Sequence, residues 1–467
     1  MATKPSLKRP AASTGSDEPD AKRPSAKGTC FPIMGPNEVA SITVPIQEAP
    51  SRLKAVMEEY GFAVVTGCAD AAECARLEAV FTADLQELLV QDDGSIDYDV
   101  AQPPEDNVVR CAGTTKAGER CKATSKDAGL LAKYAKPLKN GAKYCTRHTP
   151  LQLPRAPGEN AISIASLTLS SWPSDVGNAL GQSDRCALRG LPQSKFAWEC
   201  RLLKTVRSCF ETLYGTSQLV TSLDNTFFAP PSAPEQRTNR EWPHVDFNTT
   251  LSAVKGWDCY QSVLYVWPST DSRSSSTVVW PRSHKKVHKA MMSDPKCPRH
   301  HFVEIAKLSE AEQQKLLPRW RREAKRVPVP AGALLIWDSR TVHQGWTGGP
   351  RLAHPICWEP STRRDGWALD KKLRLSALGF PSSHWASLGI PHPCVIGTMH
   401  LPMVQKLSID GARLLLKSIV EPAPLRDGCT ARDAWLLLSS STWDKPLVAE
   451  TRTRLEKMIS PEILSVL

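Results

Sequence analysis

The sequence predicts an α+β protein in which helices buttress a double-sheet β barrel. Short apolar segments bounded by glycine, proline and other turn residues recur from residue 219 to residue 358, a pattern typical of antiparallel β cores. Segments with helical spacing of apolar residues precede this region. The apolar runs are far too short to cross a bilayer and the N-terminus has no apolar signal core, so we expect neither a membrane protein nor a secreted one.

The first core element is a predicted strand at residues 61–67, GFAVVTG, which is bounded by glycines. Asp70 and Glu73 then have the spacing of a capping box at a helix N-terminus. Apolar residues follow at helical spacing, namely Leu77, Val80, Phe81, Leu85, Leu88 and Leu89. A strand followed by a helix is therefore expected to open the domain.

A second helix is predicted before Gly215, which is expected to end it. Its apolar residues recur about every four positions: Trp198, Leu202, Val206, Phe210 and Leu213. Strands are then predicted at residues 219–228, 244–246, 260–267, 277–280, 328–337 and 352–358. A helical and basic connection is predicted to cover about residues 284–326, and helical spacing returns in the C-terminal region.

Composition divides the chain into four parts. Residues 1–28 are rich in Lys, Pro, Ala and Ser without apolar periodicity, which predicts a disordered basic tail. Residues 29–91 and 156–395 form the predicted main domain, which is interrupted by a basic Cys/His insertion at residues 110–148. Residues 396–467 are predicted to form a helical C-terminal appendage.

The net charge of +11 is concentrated in two of these parts. The tail carries +3 and the insertion +8, so the main domain is neutral and any attraction to nucleic acid or another polyanion is expected to reside in the tail and the insertion. Within the tail, two Lys-Arg-Pro clusters about a dozen residues apart are similar to a bipartite nuclear localisation signal. Nuclear and cytoplasmic localisation both remain open, since a solvated basic tail has the same composition.

The insertion carries a candidate zinc site. Cys111, Cys121, Cys145 and His148 supply three thiolates and an imidazole, which is a ligand set for tetrahedral zinc. The segment resembles small zinc-binding modules that open with C-x-G-x-T-K-x-G-x-x-C and close with Y-C-x-x-H. It has little apolar core of its own and would need the metal to fold. The alternative is a flexible basic insertion with incidental thiols.

A second candidate metal site lies in the main domain. His244 and Asp246 are two residues apart, so an extended strand places both side chains on one face. His343 lies at the end of the predicted strand that begins at the turn of residues 330–332, and would complete a set of two histidines and one carboxylate, which suits non-haem Fe(II). A turn at residues 347–350 makes Arg351 the start of the returning strand, where a guanidinium can bind a carboxylate in bidentate fashion.

With these residues in place, the chain resembles the Fe(II)/2-oxoglutarate-dependent oxygenases, and among them the phytanoyl-CoA dioxygenase-like family. The resemblance covers residues 61–67, 196–231, the HVD strand, VVWPRSHK at 278–285, WDSRTVHQG at 337–345 and the Arg351 strand. It is less distinct at residues 383–385. Arg282 stands where the family motif P-G-S-H-K has glycine, and Arg351 follows His343 more closely than is common in the family.

The resemblance implies a double-stranded β-helix, or jelly roll, with iron bound by His244, Asp246 and His343. Arg351 is the implied ligand of the distal carboxylate of 2-oxoglutarate. The implied reaction uses Fe(II), 2-oxoglutarate and O2 to hydroxylate a substrate that the sequence does not identify, with release of succinate and CO2.

A contrasting interpretation is a non-enzymatic nuclear protein that binds nucleic acid or a protein partner through the zinc-like insertion and uses the barrel as a scaffold. The other main-domain histidines lack a comparable context and are interpreted as structural or solvent-facing: His284, His288, His300, His301 and His354. Cys259 and Cys357 are interpreted as core thiols.

Overall fold

A computed structural model of the chain describes residues 30–89, 191–229, 231, 239–254, 256–363, 366–377 and 380–392. The predicted basic tail, the Cys/His insertion and the helical C-terminal appendage lie outside the described residues, so these three remain predictions. None of the helices in the described ranges is long and apolar enough to span a membrane.

Five helices lie before residue 215, and three more lie between or after the later strands. Their bounds are α1 (Pro36–Ile42), α2 (Ala49–Tyr60), α3 (Ala71–Leu89), α4 (Lys195–Leu202), α5 (Lys204–Tyr214), α6 (Lys286–Met292), α7 (Glu310–Glu323) and α8 (Gly366–Ala377). The Asp70 half of the predicted capping box of α3 is confirmed, because Asp70 Oδ1 accepts a hydrogen bond from the Glu73 backbone N–H at 2.8 Å, whereas the Glu73 carboxylate accepts from Arg76. Gly215 ends α5 with a left-handed φ of +69°.

Thirteen strands lie within the described residues. They are β1 (Thr43–Pro45), β2 (Phe62–Thr66), β3 (Leu219–Thr221), β4 (Phe227–Ala229), β5 (His244–Val245), β6 (Tyr260–Tyr265), β7 (Ser276–Val279), β8 (Val303–Glu304), β9 (Lys325–Arg326), β10 (Ala333–Asp338), β11 (His343–Trp346), β12 (Arg351–Pro355) and β13 (Trp358–Pro360). Strand β2 is followed by α3, which confirms this strand and this helix, but α1, β1 and α2 precede them, so they do not open the domain as predicted.

Two larger sheets face each other. One has the order β1-β2-β10-β6-β12-β4 and the other has the order β8-β5-β11-β7-β9, while β13 and β3 form a small separate pair. The chain passes repeatedly between the two larger sheets, so β4 pairs with β12, β5 with β11, β6 with β10 and β7 with β9. This nested pairing of eight strands is the order of a jelly roll. The predicted α+β class is confirmed.

Strand β10 shows why helices are needed on the outside. All six of its residues are buried, so both faces of the strand are covered. Leu334 and Ile336 alternate with Leu335 and Trp337, and the Trp337 ring lies 5.1 Å from the His343 ring of the opposite sheet. The five apolar residues of β10 all belong to the large apolar cluster that also contains the helical residues Leu53 and Phe210, and Trp337 in addition faces the opposite sheet.

The structure corrects several predicted boundaries. The single helix predicted across residues 198–213 is two helices, because Leu203 adopts a ψ of +116° between α4 and α5. The predicted strands at 219–228 and 352–358 are each divided between two sheets. The connection at 284–326 contains strands β8 and β9 as well as helices. Apolar spacing could not detect the breaks inside the two predicted strands, because the residues between the observed strands are mostly buried as well.

His343 also occupies a different position from the predicted one. It begins β11 rather than ending the preceding strand, since a turn at residues 339–342 separates it from β10. In this turn the Thr341 backbone N–H donates to the Asp338 carbonyl at 2.8 Å, and the Arg340 backbone N–H donates to Asp338 Oδ1 at 2.8 Å. The turn carries the chain from one sheet to the other and so brings His343 opposite β5.

Gly332, which precedes β10, is predicted to tolerate no side chain. Its φ is +72°, and a Cβ atom there would lie 2.0 Å from the Ala69 carbonyl oxygen. Gly332→Ala should therefore lower the free energy of unfolding by roughly 3 kcal/mol or more, through backbone strain and steric overlap together. Gly215→Ala is the matched control, because its φ is +69° but nothing lies within 4 Å of the added Cβ. Urea unfolding should show that the free energy of unfolding of the control falls by only about 1 kcal/mol. Equal losses in the two variants would show that the protein relieves the steric overlap at residue 332.

Candidate metal centre

The structure brings the three sequence-predicted ligand side chains together. His244 on β5 pairs directly with His343 on β11. Asp246 lies just after β5, where its backbone N–H donates to the Ser339 carbonyl at 3.0 Å. The distance from His343 Nε2 to Asp246 Oδ2 is 3.4 Å, and that from His244 Nε2 to Asp246 Oδ1 is 3.7 Å. One ligand atom from each residue lies within 4.8 Å of the others, as groups that bind one ion require.

Backbone carbonyls orient both imidazoles in the same way. His244 Nδ1 lies 3.0 Å from the Trp242 carbonyl oxygen, and His343 Nδ1 lies 3.0 Å from the Thr341 carbonyl oxygen. A carbonyl only accepts hydrogen bonds, so each Nδ1 carries the proton and donates it. Each Nε2 is then an unprotonated nitrogen that faces Asp246, and this arrangement is typical of metal-binding histidines.

The electrostatics of the cluster also suit a cation. Burial, together with the neighbouring His343, lowers the pKa of His244 to about 4, so this imidazole is neutral at pH 7. Burial alone would raise the pKa of Asp246, but the neighbouring imidazoles of His244 and His343 lower it well below its usual range. The site therefore holds a carboxylate beside imidazole nitrogen donors, the ligand types that suit non-haem Fe(II).

Acidification is predicted to destabilise the metal-free protein. The pKa of His244 is about 4 in the folded state and 6.5 ordinarily, so between these values the unfolded state binds more protons and stability falls as pH falls. Burial lowers the pKa of His288 and His384 in the same direction, while the raised pKa of Asp224, about 6, opposes the trend. Urea unfolding at pH 7 and pH 5 should differ by about 2 kcal/mol through His244 alone. A His244→Gln variant with an unchanged pH dependence would contradict this.

Three residues whose roles the sequence did not reveal support Asp246, either directly or through a neighbour. Gln261 Nε2 donates to Asp246 Oδ2 at 2.8 Å, and Trp337 Nε1 donates to Gln261 Oε1 at 2.8 Å. His384 Nε2 lies 3.1 Å from the Asp246 backbone oxygen. The available signal for Gln261 was a polar side chain within a predicted buried strand, but its partners come from distant segments and could not be read from the sequence.

Aromatic rings surround His244. The Trp242 ring stacks on the His244 imidazole with centroids 4.4 Å apart, and the Phe302 ring lies 4.6 Å from the same imidazole. Phe302 is 36% exposed, although the imidazole against which it packs is buried. The apolar rings therefore separate a buried candidate metal ligand from solvent, and Phe302 belongs to the accessible edge of the site.

Arg351 lies in the same interior as the triad. It begins β12, it is only 8% exposed, and its Nη2 donates to the Tyr265 hydroxyl at 3.1 Å. Tyr265 and Gln261 are four residues apart on β6, so their side chains project from the same face of that strand. The Arg351 guanidinium also lies 4.3 Å from the Phe227 ring, and its Nε has no hydrogen-bond partner among the described residues. A buried guanidinium with a free donor suits a carboxylate ligand.

The other histidines and cysteines singled out in the sequence do not join the triad. His284 and His288 are buried and lie against the backbone oxygens of Glu58 and Phe247 at 3.1 Å and 2.8 Å. His354 is buried beside Thr226 Oγ1 at 3.0 Å. Cys259 and Cys357 are buried free thiols, as predicted. The four candidate zinc ligands lie outside the described residues.

Arg282 departs from the glycine of the family motif in a physically identifiable way. Its φ is +63°, a value that glycine adopts without strain. Its guanidinium lies 4.3 Å from the Tyr60 ring and forms an ion pair with Glu59 at 2.7 Å. These exposed contacts offset part of the backbone strain and lie on α2, away from the ligand atoms of the triad.

No protein-family model matches the chain. The chain is similar to a curated protein named Ava biosynthesis cluster protein O, from Aspergillus versicolor. The two are 26% identical over 220 residues, which cover 45% of this chain and 68% of that relative.

Several solved structures are also similar. The epimerase SnoN in complex with Fe3+, alpha ketoglutarate and nogalamycin RO matches at 16% identity over 68% of this chain and 85% of that chain, with a TM-score of 0.29. EctD from S. alaskensis in its apoform matches at 12% identity over 80% and 95%, with a TM-score of 0.31. GIG2 (DUF1479) from Candida albicans matches at 8% identity over 90% and 87%, with a TM-score of 0.37. Because each TM-score is below 0.5, none of these likenesses assigns a function to this chain.

The strand order of the two large sheets and the grouping of His244, Asp246 and His343 agree with what the sequence resemblance implies. The chain has a 2-oxoglutarate-oxygenase-like fold.

Proposed function

We propose that the protein is an Fe(II)- and 2-oxoglutarate-dependent dioxygenase of the phytanoyl-CoA dioxygenase-like type, which hydroxylates a substrate and releases succinate and CO2. The observation that carries this proposal is the convergence of two imidazole Nε2 atoms and one carboxylate inside a jelly roll. Two histidines and one carboxylate bind one face of a ferrous ion and leave other positions open for a cosubstrate and O2.

The donor set fits ferrous iron. His244 and His343 would bind it through Nε2, because their Nδ1 atoms are held by backbone carbonyls, and Asp246 would bind it through its carboxylate. Iron with bound 2-oxoglutarate would supply the chemistry that activates O2. The protein's own contribution is to hold the two ring protons on Nδ1 and to keep the Asp246 carboxylate ionised, so that no ligand must lose a proton when the metal binds at neutral pH.

Arg351 is proposed to bind the distal carboxylate of 2-oxoglutarate. The Tyr265 hydroxyl holds Nη2 while Nε remains available. The rings of Phe227 and Tyr265 lie 4.3 Å and 5.2 Å from the guanidinium carbon and restrict its position. Such a fixed fork would orient the cosubstrate toward the triad and exclude water from the carboxylate.

Succinate formation tests the proposal. Purified protein with Fe(II), ascorbate and 2-oxoglutarate should release succinate above the protein-free rate even without a substrate, and His244→Ala should abolish this release. His288→Ala is the matched control, because His288 is equally buried and also lies against a backbone carbonyl but is outside the triad. Loss of succinate in the control, or equal release by His244→Ala, would contradict the proposed role of His244.

A further inference from the structure

A chain of two hydrogen bonds connects the Asp246 carboxylate to the opposite side of the barrel interior. Gln261 on β6 and Trp337 on β10 are direct partners in the antiparallel register of these strands. Both side chains are buried, with Trp337 Nε1 donating to Gln261 Oε1 and Gln261 Nε2 donating to Asp246 Oδ2, each at 2.8 Å. Both strands belong to the six-stranded sheet, whereas His244 and His343 belong to the other.

The indole determines how the amide is oriented. An indole N–H can only donate, so the Gln261 oxygen must face Trp337 and the Gln261 NH2 group must face Asp246. The opposite orientation would place the amide oxygen against the carboxylate and the NH2 group against the indole N–H, leaving two pairs of like groups in contact. In a buried site such mispairing leaves each group without a hydrogen-bond partner and without water, so this orientation is strongly disfavoured.

This chain of two hydrogen bonds distinguishes the two oxygens of Asp246. Oδ2 accepts the hydrogen bond from Gln261, whereas Oδ1 accepts none from the residues that the structure describes. The carboxylate is therefore held by the protein through Oδ2 while Oδ1 stays available. The Trp337 ring packs 5.1 Å from the His343 ring, so the same residue contacts a second member of the triad.

We propose that Gln261 is a positioning residue that presents Asp246 Oδ1 to the metal, and that Trp337 acts through Gln261 by fixing its amide orientation. The inference rests on the metal centre of the proposed function, but it concerns metal binding alone and needs no substrate. Partners of metal ligands commonly change metal affinity by 10–100-fold when they are removed. Neither residue belongs to the group of three candidate ligands, so both are expected to act on the ligand geometry.

Co(II) is the probe, because its visible absorption reports the coordination geometry as well as the affinity. Gln261→Leu should weaken Co(II) binding by about 10–100-fold and change the absorption spectrum. Trp337→Phe should weaken it several-fold, and the double variant should bind as Gln261→Leu does, because Trp337 then has no amide to orient. Trp358→Phe is the matched control, since Trp358 is a buried strand residue whose Nε1 has no partner among the described residues.

Thermal unfolding of each metal-free variant distinguishes a loss of stability from a change in the position of Asp246. Gln261→Leu with wild-type Co(II) affinity would overturn the inference and leave the proposed function intact. Additive losses in the double variant would show that Trp337 acts through packing against His343, which would overturn its assigned role. A wild-type protein that binds Co(II) but not 2-oxoglutarate, with the loss in Gln261→Leu still present, would support the inference while removing the proposed function. If Gln261→Leu does not fold, Trp337→Phe with unchanged Co(II) affinity and spectrum overturns the inference.

Discussion

Asp246→Asn is expected to lower Fe(II) affinity by at least about 100-fold and to abolish succinate formation. The change keeps the size of the side chain but removes the one carboxylate from the group of three metal-binding side chains. A neutral amide oxygen does not compensate for the desolvation of a divalent cation among imidazole donors, and a 100-fold loss corresponds to about 2.7 kcal/mol. Anaerobic Fe(II) titration of the variant measures the loss directly.

The matched control for this change is Asp224→Asn. Asp224 is a buried carboxyl group that accepts a hydrogen bond from Ser222 and lies outside the triad. Burial raises its pKa to about 6, so its neutral form is already close in free energy to its charged form at pH 7. The control should bind Fe(II) as the wild type does, and unchanged Fe(II) affinity in Asp246→Asn would remove Asp246 from the ligand set.

Arg351→Met is expected to raise the Kd of 2-oxoglutarate by about 100-fold while leaving Fe(II) affinity unchanged. Methionine keeps an unbranched stem beside the Phe227 ring but removes every donor of the guanidinium. Hydrogen bonds between charged groups contribute about 1.5–3 kcal/mol each, so the loss of a bidentate pair accounts for the expected change. Arg351→Lys should recover part of the affinity, because an ammonium keeps the charge but not the planar fork.

Titration of 2-oxoglutarate into the Fe(II)-loaded variants measures this effect. An Arg351→Met protein that binds 2-oxoglutarate as tightly as the wild type would show that another residue holds the distal carboxylate. A parallel loss of Fe(II) affinity would instead show that Arg351 supports the fold of the site through Tyr265.

The sequence was sufficient to predict the positions of residues whose geometry depends on local rules. The two-residue separation of His244 and Asp246 places them on one side of a short extended segment, and the turn before Arg351 returns the chain into the barrel. The prediction that His343 ends a strand was wrong, although its proximity to His244 was right, because turn geometry between β10 and β11 decides which sheet it enters.

The sequence was not sufficient where a side chain depends on partners from distant strands. Gln261 and Trp337 are 76 residues apart and gain their roles only through the register of β6 and β10. Tyr265 contacts Arg351 for the same reason, since β6 and β12 are neighbours in the sheet but far apart in the chain. Spacing rules describe one element at a time, and tertiary pairing decides which buried polar groups meet.

The most direct test of the proposed oxygenase is the anaerobic addition of 2-oxoglutarate to the Fe(II)-loaded protein, followed by visible absorption. Chelation of ferrous iron by a 2-oxo acid produces a charge-transfer band that neither component shows alone. The structure of the triad and of Arg351 predicts a band that saturates at one 2-oxoglutarate per iron and is weakened in Arg351→Met. Stoichiometric Fe(II) binding without any such band, and without measurable 2-oxoglutarate binding, would contradict the proposed function.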